Sequence, residues 1–353
     1  MAGAVTLARV LADPQAGMTL DAQGWTSLIC TARAEKLAGT LAYRVEGLAM
    51  PASAAMILAD ARASAEQGRR AALWEAEMAR RALAPLGCAV VLLKGTAFVA
   101  GGLMAGRGRQ IGDLDILVPR GALGAVEAAL LAHGWEWAKP NAYDDAYYRR
   151  WMHELPPLIH RERDRMIDVH HTILPLTARP EPYPAALIDG SVELGNGLRM
   201  LAPAELVVHA AAHLIADGDL AGGLRNLWDI DRLCREFEED DPDFYRSVME
   251  AAWNHNLWAE TALALRLASQ IFGTPVRECD SPIRCRFDEV WSDRWFRRRL
   301  LARDDWGRAT RPVTRLAFYV RSHWLRMPPA LLARHLWTKW RRQSPSRTPI
   351  SSS

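Results

Sequence analysis

The chain has 353 residues, half of them hydrophobic and 24% charged, with a net charge of +3. This is the balance of a soluble globular protein that can bury a sizeable core, and at roughly 100–200 residues per domain two domains are expected. Its five cysteines (Cys30, Cys88, Cys234, Cys279, Cys285) are odd in number and form no C-x-x-C pair, which argues against a disulfide framework or a zinc knuckle and fits a reducing compartment.

The N-terminus has no basic stretch followed by an uninterrupted apolar run. Longer apolar runs are broken by charge well short of a spanning helix, so a cytoplasmic protein is expected. Residues 1–85 read as helical. A helix can begin at Pro51, with Met56, Leu58, Ala61, Leu73, Met78 and Leu83 as its apolar face, until Pro85, Leu86 and Gly87 break the pattern. Ala89-Val90-Val91-Leu92-Leu93 is a short continuous apolar run, as in a strand buried on both faces, and it ends at Lys94-Gly95-Thr96. A small-residue helix over 97–105, a basic loop over 106–109, a strand over 111–118 and an amphipathic helix over 121–133 are expected next. The stretch 147–173 can hold two or three strands, with a turn at 161–164 between 157–160 and 166–173. After a Pro-rich run at 180–184 the chain returns to helix, over 203–217, 222–237, 242–257, 258–272, 286–302, 312–326 and 329–342. The Ser- and Pro-rich residues 344–353 read as a disordered tail.

The chemistry centres on Gly112-Asp113-Leu114-Asp115-Ile116-Leu117-Val118. On a strand, Asp113 and Asp115 project to one face and Leu114 and Ile116 to the other. Two carboxylates so close repel each other, and a divalent cation relieves the repulsion; Mg2+ (or Mn2+) prefers such hard oxygen ligands. Upstream, Gly95 lets a phosphate approach the backbone at the start of a helix, and Arg107 and Arg109 precede the carboxylate strand within reach of triphosphate oxygens. A third carboxylate, Asp168, shares a strand face with His170. Asp229-Ile230-Asp231 has the same spacing but lies in a helical pattern, where the two side chains point about 200° apart. That pair reads as surface, with one packed carboxylate at most.

Taken in order, Leu93-Lys94-Gly95, Arg109, Asp113-Leu114-Asp115 and Asp168-Val169-His170 resemble the uncharacterised polymerase-β-like nucleotidyltransferases over about residues 86–235. The likeness extends to a downstream helical stretch with His209, His213 and Asp229. It implies an α+β fold: a small mixed β-sheet nucleotidyltransferase core with flanking helices, plus N- and C-terminal helical regions. It also implies catalytic and metal-binding roles for Asp113, Asp115 and Asp168, nucleotide contacts from Lys94, Gly95, Thr96, Arg107, Arg109 and His170, and a nucleoside triphosphate as donor. The acceptor would be a small molecule, a sugar, or a peptide or protein. The expected division is a helical region 1–85, a core 86–180, a helical domain 181–343 and the tail 344–353.

Two signals lie outside that pattern. His209 and His213 are four apart on one helix face, but the glutamate of a zinc-protease motif is missing, so two packed or hydrogen-bonded histidines are expected. From 284 to 347 there are 17 Lys plus Arg against 5 Asp plus Glu, and tryptophans recur at 324, 337 and 340. A terminal helix docked on the helical domain is expected there, with peripheral membrane contact through its basic face as the alternative. No recognised motif supports nucleic acid as a partner. The competing reading of the whole is a catalytically inactive, nucleotide-binding or membrane-peripheral protein of the same fold.

Overall fold

The computed structural model describes residues 3–138, 142–216, 218–277 and 291–326. The N-terminal stretch is helical: α1 (Gly3–Ala12), α2 (Ala22–Ala34), α3 (Ala38–Arg44) and α4 (Ala52–Leu83). Asp21 caps α2 by accepting the Gly24 N–H at 2.8 Å, which satisfies one of the helix's unpaired first-turn donors. Of the apolar residues expected to face inward on α4, Leu58 and Leu83 are buried and Met78 packs against the core. Met56 is 68% exposed, and the buried row is mainly Ala54, Leu58, Ala65, Ala72, Ala76 and Ala79. Small side chains line this contact because the neighbours lie close: a Cβ at Gly39 on α3 would sit 2.8 Å from the Ala65 Cβ and 2.5 Å from the Gly108 carbonyl oxygen.

The sheet elements follow in chain order as β1 (Val91–Leu92), α5 (Lys94–Ala100), β2 (Asp113–Leu117), α6 (Leu123–Ala132), β3 (Trp135–Trp137), α7 (Ala142–Trp151), β4 (Leu158–His160), β5 (Met166–His170), α8 (Pro184–Asp189), β6 (Val192–Glu193) and β7 (Arg199–Met200). They form one mixed sheet in the order β3-β4-β5-β2-β1-β7-β6. β2 pairs parallel with β5 and antiparallel with β1, and β7 pairs parallel with β1. The fold is α+β, a mixed sheet with many flanking helices, as expected.

Three local expectations change. α5 begins at Lys94 and stops at Ala100, since Gly101 and Gly102 follow and Gly102 adopts φ +70°. The stretch 147–173 starts inside a helix, α7, and its strands begin at Leu158 apart from one bridge between Glu154 and His170. β6 and β7 lie in a stretch read as helical. They are too short to carry a period, and pairing with the edge at β1 is what makes them strands.

The remaining described chain is helical: α9 (Pro203–Ala211), a π-helical turn (Ala212–Ala216), α10 (Gly223–Asp240), α11 (Phe244–Asn254), α12 (Trp258–Phe272), α13 (Asp293–Leu300) and α14 (Pro312–Arg326). α10 packs against α9, α12 and the turn at Met104–Gly106, so it is covered on more than one side. That overturns the surface reading of Asp229 and Asp231, which are 4% and 0% exposed. Asp231 accepts from Thr274 Oγ1 at 2.7 Å and Arg235 Nε at 2.9 Å, and pairs with Arg232. The two carboxylates do point apart, and each finds its own cationic partner.

Buried apolar side chains from Leu7 to Phe318 form one contiguous cluster, with α1 lying against α12. α14 turns Val313, Leu316, Val320 and Trp324 outward. Among the described residues, no helix is long and apolar enough to cross a membrane. The expected helix 329–342 and the tail lie outside the described residues, as do Cys279 and Cys285.

Candidate active site

The parallel pairing of β2 with β5 sets the site. Its register places Asp115 opposite Asp168, and strand alternation puts Asp113 on the same face one step away. Carboxylate oxygens of Asp113, Asp115 and Asp168 lie within 4.8 Å of one another. The opposite face of β2 is anchored by Leu114 and Ile116, 3% and 0% exposed, so the strand cannot rotate its acids away without exposing core. The three acids are graded in exposure: Asp113 is exposed, Asp168 half-buried and Asp115 buried.

Lys94 reaches this face through the backbone. The Leu93 N–H donates to the Asp115 carbonyl at 3.0 Å, extending β1 along β2, and the chain then turns at Lys94 with φ +49°. A side chain in that left-handed region is strained, and the strain is offset by what Lys94 does there. Its Nζ donates to Asp115 Oδ1 at 2.6 Å. His170 Nε2 lies 3.0 Å from the same oxygen. Burial alone would raise the Asp115 pKa, but Lys94 and His170 override it and hold the carboxyl well below the usual carboxylate range. At Asp168 the Lys94 charge pulls the same way but is outweighed. Desolvation first, then the charges of Asp115 and Asp113, push that carboxyl up to about 7. Burial also lowers His170, and lowers His209 well below the ordinary imidazole range, with Lys94 adding to the effect on His209. His209 is packed, as expected, and its ring belongs to the surroundings of this site.

The other expected nucleotide contacts are distributed unevenly. Arg109 is 8% exposed, paired with Asp229 of α10, and its guanidinium lies 5.1 Å from the Phe98 ring centroid. It also covers Gly95: a Cβ there would come within 2.5 Å of Arg109 Nε and 3.2 Å of Ile111 Cγ1. Gly95 is thus required by the arginine stacked over the turn. Gly95→Ala is expected to destabilise the protein by about 1–3 kcal/mol, read as a lower urea midpoint; an unchanged midpoint would mean that the arginine is not fixed there. Thr96 is 1% exposed with its hydroxyl buried and unpartnered, and Arg107 lies over the Tyr43 ring at 5.3 Å. The structure therefore gathers Lys94, Asp113, Asp115, Asp168 and His170, while Arg109 and Thr96 sit behind the turn and Arg107 beside α3.

Two groups near His170 escaped the sequence reading. Glu154 Oε2 lies 3.5 Å from His170 Nδ1, and His153 stacks 5.1 Å from the His170 ring at a 31° tilt. His153-Glu154 has no periodic context in sequence, and only the bridge to His170 reveals it. Asp229 could have been found only by the folding of α10 onto the loop before β2.

The three-carboxylate face fits a hard divalent cation: its donors are all oxygens, one is exposed for entry, and mutual repulsion among them favours a bound charge. Asp113 opens on a small cleft with Glu75, Gly112, Arg165 and Met166. Arg165 and Ile111 also line an adjoining cavity of about 570 Å3 that presents Arg33, Lys36, Gln67 and Gln110. Residues 21–273 match the model of the family described as uncharacterised nucleotidyltransferase. No curated protein gives a significant match to the chain.

Proposed function

The chain belongs to the uncharacterised nucleotidyltransferase family, and from that premise we propose that it moves a nucleoside monophosphate from a nucleoside triphosphate to an acceptor hydroxyl in a Mg2+- or Mn2+-dependent reaction. The carrying observation is the in-register placement of Asp113, Asp115 and Asp168 on one sheet face, with Lys94 beside them. In the proposed step the acceptor oxygen forms a bond to the α-phosphorus. The bond from that phosphorus to the bridging oxygen breaks, and pyrophosphate leaves. The divalent ion, when bound, would polarise the phosphoryl oxygens and offset charge on the departing group.

Asp113 and Asp115 would hold that ion. Asp168 would complete the oxygen set or receive the acceptor's proton. Lys94, partly open to solvent and already committed to the carboxylate face, would be the cation that meets the triphosphate. Arg33, Lys36 and Arg165 give the adjoining cavity a positive lining that suits an anionic substrate. The acceptor class is a small molecule, a sugar, or a peptide or protein side chain.

Calorimetric titration of each nucleoside triphosphate, with and without Mg2+, tests the reading. Binding is expected only with the metal, and is expected to be lost in Asp113→Asn. Equal binding by wild type and Asp113→Asn would end the proposal.

A further inference from the structure

We propose that His153, Glu154 and His170 form a second ion site, selective for a zinc-class divalent cation, with His170 shared between it and Asp115. One ligand atom from each of the three residues lies within 4.8 Å of the others. The decisive atom is His170 Nδ1. The ring is 2% exposed, and its Nε2 faces Asp115 Oδ1 at 3.0 Å. Since that carboxylate can only accept, Nε2 is the nitrogen that donates to it, and Nδ1 is the ring atom left to face a ligand. That nitrogen is buried, has no hydrogen-bond partner, and lies 3.5 Å from Glu154 Oε2. A cation held among the three residues would give the buried Nδ1 the partner it lacks.

His153 Nε2 lies 3.8 Å from the same Glu154 oxygen, which completes a donor set of two imidazole nitrogens and one carboxylate oxygen. The backbone fixes all three. Glu154 bridges to His170, the Leu155 N–H donates to the Val169 carbonyl at 2.9 Å, and the His171 N–H donates to the His153 carbonyl at 2.9 Å. Nitrogen-rich sites of this composition favour Zn2+ over Mg2+ and leave a fourth position for water. The His170 link to Asp115 is the carboxylate–imidazole–metal arrangement that orients a ligating histidine. The all-oxygen face and the nitrogen-rich site therefore differ in the ion they select, although they meet at one histidine. The Glu154 side chain is 18% exposed and gives the ion a way in.

The site does not depend on nucleotidyl transfer, and it is tested without nucleotide. The metal-stripped full chain is titrated with Co2+, a spectroscopic substitute for zinc, and by calorimetry with Zn2+, both in excess Mg2+. One equivalent is expected to bind and give the visible bands of low-coordinate cobalt. His153→Gln and Glu154→Gln are each expected to weaken binding by roughly tenfold or more, and Asp113→Asn to leave it unchanged. Circular dichroism confirms that each variant is folded; should His153→Gln fail to fold, Glu154→Gln decides. No cobalt bands in wild type, or loss in Asp113→Asn with retention in the folded variants of the new site, would overturn the assignment.

Discussion

Asp113→Asn is expected to lower pyrophosphate-releasing transfer by about a thousandfold, roughly 4 kcal/mol of transition-state stabilisation, with almost no change in stability. Asp115→Asn is expected to lose as much activity and to destabilise the protein as well. The difference follows from their surroundings. Asp113 stands exposed at the start of β2, and a neutral isostere there disturbs no packing. Asp115 is 3% exposed and anchors both Lys94 and His170, so removing its charge leaves the lysine without its partner at a strained backbone position. That loss is about 1–3 kcal/mol. Urea unfolding of both variants, alongside pyrophosphate release, separates the two effects. Turnover near wild type in Asp113→Asn would sink the carboxylate proposal, and equal stability of the two variants would show that Asp115 is not a structural anchor.

The second large effect concerns Arg109 and Asp229. Both are nearly excluded from water, and each is the other's counter-charge. Asp229→Leu or Arg109→Met is expected to cost about 3–5 kcal/mol, because each removes one side of a buried ion pair. The double replacement Arg109→Met with Asp229→Leu is expected to cost less than the sum, since the two charges leave together and only the buried Arg225 loses a counter-charge. Urea midpoints of the four proteins close the cycle. Additive single effects below about 1 kcal/mol would mean that the pair is solvated. The singles should also reduce transfer, because Arg109 backs the Gly95 turn from which Lys94 projects. Such a loss would make Arg109 a positioning residue.

The local chemistry was legible in sequence wherever period and residue type coincide. Alternation along Asp113-Leu114-Asp115-Ile116 put two acids on one face and two aliphatics on the other, and the buried run at Val90–Leu93 announced the strand beside it. Asp168 and His170 were likewise placed on one strand face, and the helical spacing of Asp229 and Asp231 already kept them apart. These follow from backbone geometry, which acts between neighbours in the chain. Other features belong to tertiary structure alone. That Asp168 stands opposite Asp115 is a matter of strand register; that Arg109 meets Asp229 depends on α10 closing over the loop before β2; that Glu154 faces His170 rests on a single bridge; and that β6 and β7 are strands at all depends on the edge of β1. Each of these joins residues far apart in the chain, and burial then decides which charges must pair and which pKa values move. No local pattern encodes that closure, because the free energy that selects it comes from desolvation and packing across the whole core.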